Sequence, residues 1–139
     1  MKPPTLYTPR IEKPFTIQCD ASSYGVGACL SQRDDEGKLR PISFASSKFT
    51  AAQQNWSIIK LEAYAVVWSI KKFENYVFGA KIKIITDHNP LTYLQRTAPQ
   101  SPKLQRWALA LQKHDISIAH CPGALLKNAD GLSRLVPDF

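Results

Sequence analysis

Apolar and polar residues alternate from Phe15 to Ala21 (FTIQCDA), in a segment rich in strand formers, which predicts a first β-strand. Ser22-Ser23 turns the chain, and Tyr24 to Gln32 (YGVGACLSQ) reads as a second strand. Its glycines at 25 and 27 suit a twisted strand against which something packs closely. Asp34-Asp35-Glu36-Gly37 is a polar hairpin tip, and Leu39 to Ala45 returns as a third strand. Three strands joined this tightly make an antiparallel meander. The pattern then changes. From Ile58 to about Val77 there is no Gly or Pro, and Thr50 or Ser57 can cap a long helix that Gly79 ends. Its apolar residues (Ile58, Ile59, Leu61, Tyr64, Ala65, Val66, Val67, Trp68, Ile70, Phe73) run nearly all the way round, as expected of a helix lying across a sheet. KIKIIT (81–86) is a fourth strand, parallel to the first if the helix is a crossover. Pro90 to Leu94 suggests a short helix, and Ser101-Pro102 opens a second amphipathic helix over 102–113. DISIAH (115–120) alternates as a fifth strand, Pro122-Gly123 turns the chain, and a last short helix covers 129–134. The order βββαβααβα indicates an α/β domain with a mixed five-stranded sheet.

The 139 residues amount to one domain. Pro3, Pro4, Pro9 and Pro14 crowd the start, so 1–13 reads as an extended lead-in, 14–136 as the domain and 137–139 as a tail. With 44% hydrophobic and 21% charged residues, wholesale disorder is excluded. No apolar run approaches the roughly 20 residues that span a bilayer, and the N-terminus lacks a signal-peptide core. Cys19, Cys29 and Cys121 are odd in number and form no CxxC pair, which argues against a disulfide framework or structural zinc and fits a reducing compartment. The net charge of +7 points to a polyanionic partner such as nucleic acid.

Most of the 11 acids have ordinary settings at loop tips or termini, but four do not. Asp20 and Asp87 end strands one and four. If those strands are parallel neighbours, both carboxylates stand at the carboxyl end of the sheet, where open α/β sheets place ligands. Glu62 lies between Ile58, Ile59, Ala65 and Val66 at helical spacing, in an apolar stripe facing the sheet, with no Lys or Arg aligned to pair with it. Asp130 opens the last helix, where a carboxylate is also a routine first-turn residue. Asp20 and Asp87 can equally be turn residues. Carboxylates gathered without a matching cation raise one another's pKa, and a divalent metal resolves the conflict. Oxygen donors without clustered His or Cys favour Mg²⁺ or Mn²⁺, and in a basic protein such a cluster suggests two-metal phosphodiester hydrolysis.

The segments CDASSYGVGACLSQ (19–32), PISFAS (41–46), LEAYAVVWSIKKFENYVFG (61–79), ITDHNPL (85–91), LQRWALALQ (104–112), HCPG (120–123) and NADGLSR (128–134) occur in order over nearly the whole chain. Together they resemble the ribonuclease H domain of reverse transcriptases from gypsy-class long-terminal-repeat retrotransposons. The resemblance implies a ribonuclease H-like fold with helices on both faces of its sheet. It also implies an endonuclease that cuts the RNA strand of RNA–DNA hybrids with two Mg²⁺ ions, for which Mn²⁺ can substitute. Its metal ligands carry over onto Asp20, Glu62, Asp87 and Asp130. The implied partners are the hybrid and a polymerase domain of the same polyprotein, in the cytoplasm within a virus-like particle.

The chain departs from that pattern in places. Relatives usually carry Thr and Glu where Ile59 and Lys60 stand, and Asn where Leu126 stands in the turn after Pro122-Gly123. No histidine occurs between Pro122 and Asp130, a region where cellular and retroviral relatives have a histidine loop. Two alternatives therefore stay open: a non-catalytic module of the same fold that binds nucleic acid or scaffolds the polymerase, and a nuclease acting on DNA. Lys103, Arg106 and Lys113 fall on one face of the second helix, either as a solvated surface or as a phosphate-tracking stripe. Gly25 and Gly27 are candidates for letting the hybrid approach a sheet edge. Trp56 and Trp68 are assigned to the core, and Cys19 to a small buried hydrophobe.

Overall fold

A computed structural model describes residues 8–10, 12–86, 94 and 101–120. The meander forms as expected: β1 (Phe15–Ala21), β2 (Gly25–Arg33) and β3 (Leu39–Lys48) pair antiparallel in sequence order. Gly37, at φ 82°, makes the hairpin tip between β2 and β3, a backbone conformation costly to any residue with a Cβ. β3 runs three residues beyond the alternating stretch that predicts it, because Ala45 to Lys48 keep pairing with β2 back to Gly25.

Both candidate helix caps are used, each for a different helix. Thr50 closes a capping box with Gln53 at the start of α1 (Ala51–Gln54), and Ser57 accepts from the Lys60 amide at the start of α2 (Ile58–Lys72). The single helix expected to Val77 is interrupted: Phe73, buried against the core, leaves helical geometry at φ −102°, ψ 15°, and α3 (Glu74–Val77) is a separate short turn. Gly79, at φ 78°, then redirects the chain into β4 (Lys81–Thr86). β4 lies parallel to β1, with Phe15 opposite Ile82 and Gln18 opposite Ile85, so α2 is the crossover. α4 (Pro102–Gln112), capped by Ser101, leads to β5 (Asp115–His120), parallel to β4. The sheet order is β3-β2-β1-β4-β5.

Ile17, Leu30, Ile82 and Ile84 form the centre of the core. Ala63, Val66, Val67 and Ile70 of α2 close over it, and Leu104, Trp107 and Leu111 of α4 extend it. Full burial of one such aliphatic side chain contributes about 1.5–3 kcal/mol. Leu94 is helical and buried, but the rest of the short helix expected at Pro90–Leu94, the helix at 129–134 and the tail lie outside the described residues. α2 and α4 pack on each other and share one core.

One expectation about α2 is corrected. Its stripe around Glu62 is buried only on the C-terminal side, at Ala65 and Val66, whereas Ile58 and Ile59 are 69% and 50% exposed.

The lead-in is tied down by a buried amide. Gln32 accepts from the Arg10 amide at 2.8 Å and donates to the carbonyls of Arg10 and Lys13 at 2.7 and 3.1 Å. Outside that clamp, Asp35 pairs with Arg10 and Lys13, whose charges and hydrogen bonds hold its carboxyl below the ordinary range.

Candidate active site

Asp20 is the penultimate residue of β1, opposite Gly27 of β2, and is 4% exposed. Glu62 stands in the second turn of α2, also 4% exposed. α2 starts beside the carboxyl end of β1, so an open cleft of about 270 Å³ is lined by Ala21, Ser22 and Ser23 on one side and by Ile58, Leu61 and Glu62 on the other. Gln54 and Trp56 complete it.

Cys19 reports how close the two acids are. Burial first, then the field of Glu62, and also that of Asp20, push its thiol up to about 12, against a hydrogen bond with Ser69 that pulls the other way. Ser69 in turn donates to the Ala65 carbonyl at 2.6 Å. Glu62, Val66 and Ser69 are spaced four and three residues apart, so one face of α2 brings Glu62 and Ser69 against the end of β1. Burial keeps the thiol protonated at neutral pH, as expected of a buried hydrophobe.

β4 delivers Thr86 to the same end of the sheet, fully buried, with an Oγ1 that meets no hydrogen-bond partner among the described residues. Asp87 follows it directly in sequence. Asp87 and Asp130 themselves lie outside the described residues, among which no group of three or more metal-binding side chains occurs. Glu62 lines the cleft and Asp20 directly precedes its lining residue Ala21, two buried, hard oxygen donors. That donor set fits Mg²⁺ or Mn²⁺ and not the softer metals.

The remaining candidates are placed as follows. Lys103, Arg106 and Lys113 are exposed, opposite the buried Leu104, Trp107 and Leu111. Gly25 and Gly27 are buried in β2, which is hydrogen-bonded to β1 and β3, so the expected approach at a sheet edge is corrected: β2 is an inner strand. Trp68 packs partly buried against the core. Trp56 does too, but with an additional role that residue types alone did not indicate. Its ring carries the ammonium groups of both Lys60, at 4.3 Å from the centroid, and Lys103, at 4.4 Å. The i, i+4 spacing of Trp56 and Lys60 was a usable signal; the approach of Lys103 from α4 was not.

Comparison with known proteins agrees with this fold. Residues 10–114 match the model of the RNase H-like domain found in reverse transcriptase. The Pol polyprotein of the Drosophila melanogaster transposon opus is 37% identical over 132 residues, covering 94% of this chain and 13% of that protein. That of the Drosophila transposon gypsy is 37% identical over 127 residues, covering 91% and 12%. The chain thus spans about an eighth of the length of these relatives. A foamy viral protease-reverse transcriptase in complex with dsDNA superposes with a TM-score of 0.71 at 19% identity, over 84% of this chain and 25% of that one. RNase H1 from the archaeon Halobacterium salinarum superposes at 0.63 and 16% identity, over 90% and 98%. Those two likenesses carry the fold. With the family match over residues 10–114 and the likeness to transposon polyproteins, the chain belongs to the RNase H-like domains of reverse transcriptases, as a member of the gypsy-type retrotransposon branch.

Proposed function

We propose that the chain is the hybrid-cutting endoribonuclease of a retrotransposon polyprotein, hydrolysing the RNA strand of RNA–DNA hybrids during reverse transcription. The observation that carries this reading is the placement of two buried carboxylates at the carboxyl end of the sheet in a basic protein: Glu62 lines the cleft, and Asp20 directly precedes its lining residue Ala21. Asp20 and Glu62 would hold two Mg²⁺ ions, or Mn²⁺, together with Asp87 and Asp130. Bound there, the ions supply an activated water and a stabilised leaving oxygen. The chain's own part is to hold the donors in place. β1 fixes the Asp20 backbone through its pairing with Gly27, and the Ser57 cap anchors the turn of α2 that presents Glu62. The low exposure of both carboxylates strengthens their pull on a cation. The polymerase domain of the same polyprotein would supply further grip on the hybrid, and the setting would be a cytoplasmic virus-like particle.

The exposed Ile58, which lines the cleft, and the exposed Ile59 next to it in sequence favour the second reading of a module that binds nucleic acid without cutting it. A labelled RNA–DNA hybrid separates the two. Cleavage of the RNA strand by the chain with Mg²⁺ or Mn²⁺, abolished by Asp20→Asn and by Asp87→Asn, is expected. Binding without cleavage, in both the chain and the full polyprotein enzyme, rejects the nuclease.

A further inference from the structure

We propose that Lys60, Trp56 and Lys103 form a preassembled clamp for a backbone phosphate of the hybrid, beside the carboxylate cleft; the choice of hybrid as occupant rests on the function proposed above. Three segments meet here. Trp56 lies in the connection between α1 and α2, Lys60 in the first turn of α2, and Lys103 in the first turn of α4. The two ammonium groups sit 4.3 and 4.4 Å from the centroid of one ring, so their separation cannot exceed the sum of those distances. Neither forms an ion pair with an acid among the described residues, where the ion pairs of lysines and arginines gather on Asp34 and Asp35 at the other end of β2. Among the described residues, the π-face is what draws these two like charges together.

The ring itself is held. Tyr64 meets it edge-on at 5.7 Å and Trp107 at a tilt at 5.9 Å, bracing it from α2 and α4. Each lysine therefore loses part of its side-chain freedom before any ligand arrives, which lowers the cost of binding an anion there. Trp56 also lines the cleft that holds Glu62. Positive charge is placed at the rim while the buried acids stay within. A diester backbone fits both parts: its bridging phosphates seek the lysines, and its scissile group seeks the metal-loaded acids. An acidic peptide would be held at the rim and refused by the acids.

The test is anisotropy of a fluorescent RNA–DNA hybrid titrated with the 139-residue chain in chelator, across a range of salt concentrations. Lys60→Gln with Lys103→Gln is expected to weaken binding at least about 10-fold at low salt and to flatten the slope of log K against log salt by about 2. The charge-matched pair Lys38→Gln with Lys81→Gln, at the far end of the sheet, is expected to leave the affinity within about 2-fold. Equal effects of the two pairs, or no effect of either, overturn the clamp. Mg²⁺-dependent cleavage by the same preparations keeps the two proposals apart. A chain that cuts but binds independently of Lys60 and Lys103 loses the clamp alone. Binding through these lysines with no cleavage by either the chain or the full polyprotein enzyme loses the nuclease reading and keeps the clamp.

Discussion

Glu62 and Asp20 are the residues on which folding and chemistry pull in opposite directions. Two carboxylates, each 4% exposed and both felt by the Cys19 thiol, repel each other unless a cation intervenes. Glu62→Gln keeps the shape and removes one charge. We expect it to raise stability in chelator by about 1 kcal/mol while abolishing cleavage, and to lose most of the thermal shift that Mg²⁺ gives the unsubstituted chain. Thermal melts with chelator and with Mg²⁺ check both signs, and a destabilised variant in chelator contradicts the premise of repulsion. Cys19 and Cys29 are buried and both thiols are pushed up, chiefly by burial. In a Cys121→Ser background, neither is expected to react with a thiol reagent at pH 8 until denaturant is added. The sign for stability is fixed by the same shift. A folded pKa raised above the unfolded value contributes fully below about 9 and is lost as pH rises toward about 12.

At the scale of elements, the caps and the lead-in clamp are where single changes act. Ser57 accepts from the Lys60 amide at 3.2 Å, and Ser57→Ala is expected to cost about 1 kcal/mol, seen as a lower urea midpoint with unchanged slope. Gln32 holds three backbone groups of residues 10–13 from inside β2. Gln32→Ala is expected to cost about 2 kcal/mol and to open the bond after Arg10 to trypsin in the native chain. The exposed ion pairs on Asp35 add to the clamp with a defined pH sense. Its carboxyl is lowered by Lys13 and Arg10, so their help is present above the ordinary carboxylate range and disappears as pH falls through the lowered value. The NMR signals of residues 10–13 should therefore keep their native shifts in mild acid and move only in strong acid. The interruption at Phe73 also belongs to this scale. A stretch of good helix formers reads as one helix, but a buried phenylalanine at the corner bends the chain toward β4.

The whole molecule rests on a core centred on β1 and β4, which joins the meander to the crossover. Ile17 is fully buried at that junction, opposite Ile84, whereas Ile116 of the edge strand β5 is only partly buried. Ile17→Ala is expected to cost about 2–5 kcal/mol and Ile116→Ala less, in denaturant melts of the two variants. The parallel pairing at that junction also decides the site, since it turns two strand ends, remote in sequence, toward one place.

Local pattern was enough for β1 and β4, whose bounds match the alternation of FTIQCDA and KIKIIT, and for the Ser57 and Ser101 caps. These features depend on neighbours within a few residues, which a sequence carries explicitly. It also singled out Glu62, because a carboxylate in an apolar stripe is anomalous wherever the chain goes, and Asp20, because it ends a strand. Tertiary structure alone decided that Ile58 and Ile59 reach solvent, that Gly25 and Gly27 lie on an inner strand, and that Lys60 and Lys103 share the ring of Trp56. Periodicity assigns a residue to a face of its own element. What stands opposite that face is set by the packing of segments distant in the chain, and there the charge of +7 acquires a direction.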